Sequence, residues 1–129
     1  MQNQISFAQN ISVTLETLET LQECISVTLG PLGKTGILDV KPSGFQIVTN
    51  GSKLIKALEF QNPLKNTIVK LIEQAATKTS KFSGDGSTTT ILFICHFLSS
   101  VLQLFSVGYN PYFLNNGIKK LIYFLMIKL

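Results

Sequence analysis

The sequence predicts a mainly α fold carrying one small β-hairpin. Apolar residues recur at helical spacing along most of its length, with glutamates opposite them in the clearest case. Two short stretches rich in β-branched and aromatic residues flank a turn. Glycine, proline and asparagine fall between these segments as punctuation.

From Ile11 to Thr28, the positions Ile11, Leu15, Leu18, Leu21, Ile25 and Val27 mark one face, while Glu16, Glu19 and Glu23 hold much of the other. That is an amphipathic helix packed on one side. "LGPLGKTG" ends it, with Gly30, Pro31, Gly33 and Gly36 turning the chain. Ile37 to Val40 and Phe45 to Val48 flank "KPSG" and read as the hairpin. "NGSKLIKALEF" restarts a helix after an Asn-Gly turn, until Asn62-Pro63 breaks it. Pro63 suits a first helical turn, and Leu64, Ile68, Leu71, Ile72 and Ala75 carry the next helix to Thr79. A further long helix is predicted from Ser87 to Ser106, then a turn at "VGYNP" and a last helix to the end.

A length of 129 residues suffices for one modest domain. Hydrophobic residues make up 45% and charged ones only 14%, against about a quarter in ordinary soluble domains. Such a chain has much of its surface covered by a partner, or is one piece of something larger. The net charge of +4 comes from 11 lysines with no arginine. Nucleic-acid readers cluster their charge and favour arginine, whereas Lys119-Lys120 is the only adjacent basic pair here, so nucleic acid is excluded as a partner. The lack of arginine and tryptophan beside abundant Ile, Asn, Lys and Phe points to an AT-rich genome such as an organelle's. Cys24 and Cys95 have no metal-like spacing and read as buried free thiols of a reducing compartment. The start "MQNQISFAQN" has neither signal-peptide nor transit-peptide character.

Ile91 to Val107 is nearly as apolar as a membrane span but shorter than the roughly 20 residues one needs. It also carries His96, Ser99, Ser100 and Gln103. The preferred reading is a helix buried on all sides in a larger protein, with a membrane span as the alternative. His96 then reads as a core histidine, and Tyr109, Tyr112 and Phe113 as packing around a turn.

Chemistry concentrates in "SGDGSTTTILF", Ser83 to Phe93. A helix start offers unpaired amides and a positive dipole end, both suited to anions. Gly84 and Gly86 let the backbone turn and approach a ligand, and Ser87, Thr88 and Thr89 add hydroxyls. Together these make a phosphate cradle. Asp85 would repel phosphate unless Mg²⁺ lies between, so the pattern points to a Mg-nucleotide. The plain alternative is an ordinary helix cap. "VTLGPLGKTG" is a second anion-friendly turn, with Lys34 as a point charge; its own plain alternative is a helix C-cap.

"SVTLGPLGKTGILDV", "VTNGSKLIKALEF", "SGDGSTTTILF" and "GYNPYFLNNGIKK" resemble, in order, the N-terminal part of a group I chaperonin of the GroEL type. The matching family patterns are TLGPKG, a T-K-D-G turn, A-G-D-G-T-T-T, and N-P followed by L-K-x-G-I. The interval of 35 residues from Asn50 to Asp85 is the group I spacing, and the resemblance covers about Ile11 to Lys120.

That resemblance implies an incomplete equatorial-domain-like helical bundle: residues 1–129 would be the first part of the ATP-binding equatorial domain, without the intermediate and apical domains. Thr28, Leu29, Gly30 and Pro31 would line the ATP pocket beside the turn Thr49, Asn50 and Gly51. Asp85 would hold Mg²⁺, while Gly86, Ser87, Thr88 and Thr89 would bind phosphate. Partners would be related subunits in stacked rings, a co-chaperonin and unfolded polypeptides, in the plastid stroma or else a bacterial cytoplasm. Several positions depart from the family. Ser87 replaces a threonine, Leu32 and Thr49 stand at lysine positions, and Asn50 stands where the family has an aspartate implicated in hydrolysis. An amide cannot accept a proton from water, so efficient ATP hydrolysis by this chain alone is not expected. The competing reading is a degenerate non-enzymatic remnant or a small membrane-associated helical protein.

Overall fold

Three helices carry the packing, and their order along the chain explains where the loops emerge. In a computed structural model, which describes residues 2–40 and 44–129, the elements run α1 (Gln2–Ser26), β1 (Gly36–Val40), β2 (Gly44–Val48), α2 (Gly51–Ala57), α3 (Pro63–Ser83), α4 (Ser87–Ser106) and α5 (Pro111–Lys128). The mainly α architecture with one hairpin is as the sequence predicts. α1, α3 and α4 pack on one another, and α2 lies against all three.

The core is built where their apolar stripes meet. Leu18, Leu21 and Ile25 of α1, Val69, Ile72 and Ala76 of α3, and Ile91 and Cys95 of α4 form one cluster with Val48, Leu54 and Ile55. Each fully buried aliphatic side chain stabilises the fold by about 1.5–3 kcal/mol. On α3 Ile72 is buried as predicted and Ile68 packs against the cluster, whereas Leu71 is exposed and Val69 and Ala76 take the innermost positions. Asn66 of α3 braces the chain between α2 and α3, accepting the Phe60 amide at 2.8 Å and donating to its carbonyl at 2.6 Å.

Asparagine starts three of the helices. Asn50, Asn62 and Asn110 each present a side-chain oxygen to first-turn amides, and Pro63 and Pro111 follow the latter two. α1 begins earlier than its apolar periodicity suggests, and α3 continues to Ser83, where Gly84 in the left-handed region ends it. The hairpin is antiparallel with Ile37 opposite Ile47 and Gly36 opposite Val48. Its predicted turn at Lys41 to Gly44 falls largely on residues 41–43, outside the described residues.

Within this chain α4 is covered on one side. Only Ser87, Ile91 and Cys95 along it are buried, on one face, and Phe93 is exposed. Among the described residues α1, α2 and α3 cover that face alone, so any enclosure of the rest of α4 lies beyond this chain. His96 is exposed rather than in the core, because it follows Cys95 by one residue and so points away from the covered face. By length and composition α4 is apolar enough to cross a membrane. α5 buries no residue, and among the described residues it packs extensively on no other element. An open apolar groove lies between it and α4, lined by Phe97, Val101, Leu104, Phe113, Ile118 and Leu121 among others. Tyr109, Tyr112 and Phe113 are exposed too, the last two meeting edge to face, so they do not fill a packed turn.

Candidate nucleotide site

The connection from α3 to α4 is only three residues long, and both of its glycines are needed. Gly84 (φ 77°) and Gly86 (φ 86°) lie in the left-handed region on either side of Asp85. The reversal leaves the Asp85 carboxylate exposed at the positive end of α4, with Oδ1 accepting the Gly86 amide at 2.7 Å. Because α4 opens on a glycine, no side chain caps its first amides. Thr90 turns its hydroxyl back to the Gly86 carbonyl at 2.9 Å, which leaves Ser87, Thr88 and Thr89 as the hydroxyls of the first turn. Ser87 is buried, Thr88 half-buried and Thr89 exposed.

The Asn-Gly turn comes directly onto this loop. The Gly51 amide donates to Thr88 Oγ1 at 3.0 Å, joining residues 37 apart in sequence. A Cβ on Gly51 would lie 2.7 Å from Thr88 Oγ1 and 3.1 Å from Thr88 Cα, so only glycine permits the approach. The Asn50 side chain serves the backbone, since its Oδ1 accepts from Ser52 N at 2.7 Å, Ser52 Oγ at 2.6 Å and Lys53 N at 3.3 Å. An aspartate could do the same, so the cap explains how asparagine is accommodated here. Thr49 is exposed beside it.

The turn after α1 is held by its own bonds. Thr28 is buried and donates both its amide and its hydroxyl to the Ile25 carbonyl, at 3.0 and 2.9 Å. Leu29, Gly30 and Pro31 are exposed. Gly33 is enclosed so tightly that a Cβ would meet the Thr28 carbonyl oxygen at 2.7 Å. Among the described residues, no hydrogen bond joins this turn to the other two loops. The core connects them instead, since Ile25, Val48 and Ile91, which stand just inside the three loops, share one cluster. Gly36, at the end of the turn, also faces Leu54 of α2.

Among the described residues, no three histidine, cysteine, aspartate or glutamate side chains gather as a metal cage. One carboxylate beside a row of hydroxyls suits a cation that takes its remaining ligands from phosphate and water, which is how Mg²⁺ is commonly held. Sequence reasoning missed Ser52 and Thr90, and it placed Gly33 in the turn without finding its tight enclosure. Ser52 could have been found from Asn-x-Ser at a helix start, a local capping pattern; the closeness of Gly33 to the Thr28 carbonyl has no such local signal.

Comparison with known proteins decides the family. The profile of the TCP-1/cpn60 chaperonin family matches residues 21–129. The chain belongs to the TCP-1/cpn60 chaperonin family. Among curated relatives of the chain, the chloroplastic chaperonin GroEL of Cyanidium caldarium is 37% identical over 87% of the chain and 21% of the relative. The chloroplastic chaperonin GroEL of Gracilaria tenuistipitata var. liui is 35% identical over 100% of the chain and 25% of the relative. The chain thus spans about a fifth to a quarter of the length of these chaperonins.

Proposed function

We propose that residues 1–129 act as the first part of the ATP-binding equatorial domain of a group I chaperonin, in a protein that assists folding in an ATP-dependent ring complex. One observation carries the nucleotide reading: Gly51 and Thr88 make contact, so the Asn-Gly turn and the Gly-Asp-Gly loop form one surface at the uncapped start of α4. Gly86, Ser87, Thr88 and Thr89 would bind the phosphates, and Asp85 would hold Mg²⁺. Thr28, Leu29, Gly30 and Pro31, with Thr49 and Asn50, would border the same pocket. Mg²⁺, when bound, neutralises phosphate charge beside the Asp85 carboxylate.

Turnover is a separate matter from binding. The Asn50 side chain is engaged in capping α2 and has no basicity to offer a water, so the chain by itself is a nucleotide binder and a poor ATPase. Related subunits in rings, a co-chaperonin and unfolded polypeptides are the proposed partners. The plastid stroma is the proposed compartment, supported by the chloroplastic relatives and the arginine-free composition.

Calorimetric titration with Mg-ATP tests the site. The wild-type chain should bind, and Asp85→Ala or removal of Mg²⁺ with EDTA should abolish the signal. Binding that persists equally in Asp85→Ala, or fails in both forms, overturns the proposal. The exposed apolar surface of α4 favours a second reading, a membrane span. Ile91 and Cys95 argue against it, because both are wholly buried against neighbouring helices. Retention of the chain in membranes through a high-salt wash would reverse that judgement.

A further inference from the structure

We infer that Thr88 is a positioning residue, coupling nucleotide on the start of α4 to order at the start of α2 through its single hydroxyl. The inference rests on the nucleotide reading above and adds to it a role other than direct phosphate contact. Thr88 Oγ1 accepts the Gly51 amide at 3.0 Å in a half-buried setting. A hydroxyl has two lone pairs and one proton, so an oxygen engaged by Gly51 keeps its proton for a ligand. When that proton goes to a phosphate oxygen, the hydroxyl becomes a better acceptor, because chained hydrogen bonds polarise one another. Nucleotide on α4 therefore tightens the hold on Gly51.

Packing leaves this contact little freedom. A Cβ at residue 51 would meet both the side chain and the backbone of Thr88, at 2.7 and 3.1 Å. The neighbouring Asn50 grips Ser52 and Lys53, so movement of Gly51 carries the α2 cap with it. Linkage makes the coupling reciprocal: whatever loosens Gly51 from Thr88 weakens nucleotide binding by the factor that nucleotide strengthens the contact.

The test follows the Gly51 amide by NMR hydrogen exchange in the full chain, with and without Mg-ADP, alongside calorimetric Mg-ADP affinity. Without nucleotide, Thr88→Val should speed Gly51 exchange by about tenfold, as loss of one hydrogen bond implies, and Thr88→Ser should restore slow exchange. Mg-ADP should slow Gly51 exchange further in the wild type and leave it unchanged in Thr88→Val. Gly51→Ala, which leaves the Thr88 hydroxyl in place but forces the two apart, should weaken Mg-ADP binding about three- to tenfold. Equal Gly51 exchange in wild type and Thr88→Val overturns the positioning role. An equal response to Mg-ADP in both overturns the coupling. Failure of the wild type to bind Mg-ADP overturns the nucleotide assignment and the coupling, while exchange in the nucleotide-free chain still decides whether Thr88 positions the turn.

Discussion

Replacing Asn50 measures what this side chain does for stability and how a charge at the same position changes it. In Asn50→Ala the acceptor for Ser52 N at 2.7 Å, Ser52 Oγ at 2.6 Å and Lys53 N at 3.3 Å disappears. The site is exposed, so water replaces those bonds and the cost is that of a lost helix cap, about 1 kcal/mol. For a chain of this size that lowers Tm by about 3–5 °C. Asn50→Asp keeps the acceptor and adds negative charge at the positive end of α2, a gain of about 0.3 kcal/mol, the low end of the range because α2 spans only seven residues. The introduced carboxyl would have a folded pKa below its unfolded value of about 3.9. Its contribution is therefore present above pH 4 and is lost as pH falls through the folded pKa, whereas the asparagine cap does not titrate. Thermal melts by circular dichroism at pH 7 and pH 3 read both effects. Asn50→Ala melting with the wild type would refute the cap, and an advantage for Asn50→Asp that persists at pH 3 would refute its electrostatic origin.

Other perturbations act on separate parts of the fold. Gly33→Ala forces a methyl to within 2.7 Å of the Thr28 carbonyl oxygen and 2.9 Å of the Gly30 carbonyl oxygen, and should destabilise by about 1–3 kcal/mol in urea unfolding. Ile91→Ala empties a fully buried site beneath the Gly-Asp-Gly loop and should cost about 2–5 kcal/mol by the same assay. Burial raises the Cys95 thiol from 9.0 to about 11, so at pH 8 a thiol reagent should label half-buried Cys24 well before Cys95 until denaturant is added. Because that pKa is raised in the folded chain, its contribution to stability is full below pH 9 and falls away as pH rises towards 11, which alkaline melts would reveal.

The elements that could be read from sequence are those whose signals are local. Asn-Pro pairs announced the starts of α3 and α5, and the apolar spacing from Leu18 to Ile25 announced the buried face of α1. The start of α1 was hidden because Gln2 to Asn10 has no clear apolar stripe, and helix propensity alone is a weak guide. On α3, Ile68 and Leu71 are as apolar as Val69, so the spacing identifies Ile72 but does not rank its neighbours until α2 and α4 are in place. His96 was assigned to the core because its neighbours are apolar, but how much of α4 is covered depends on other helices. At the candidate site, residue types and spacing pointed to the Gly-Asp-Gly loop and the Asn-Gly turn. The contact between Gly51 and Thr88 joins distant residues and became visible only in three dimensions.

The isolation of α5 bears on how the chain comes apart. A helix of 18 residues that buries none of them draws almost nothing from the core, and lone helices near that length are marginal in water. The α1–α4 core should unfold as one cooperative unit, while α5 loses helicity gradually over a broad range at lower temperature. Calorimetry would then detect a single peak that omits α5, and far-ultraviolet dichroism would show a sloping pre-transition. Any surface that later seats Phe113, Leu121 and Phe124 would convert that slope into part of the main transition, making α5 a reporter of its own docking.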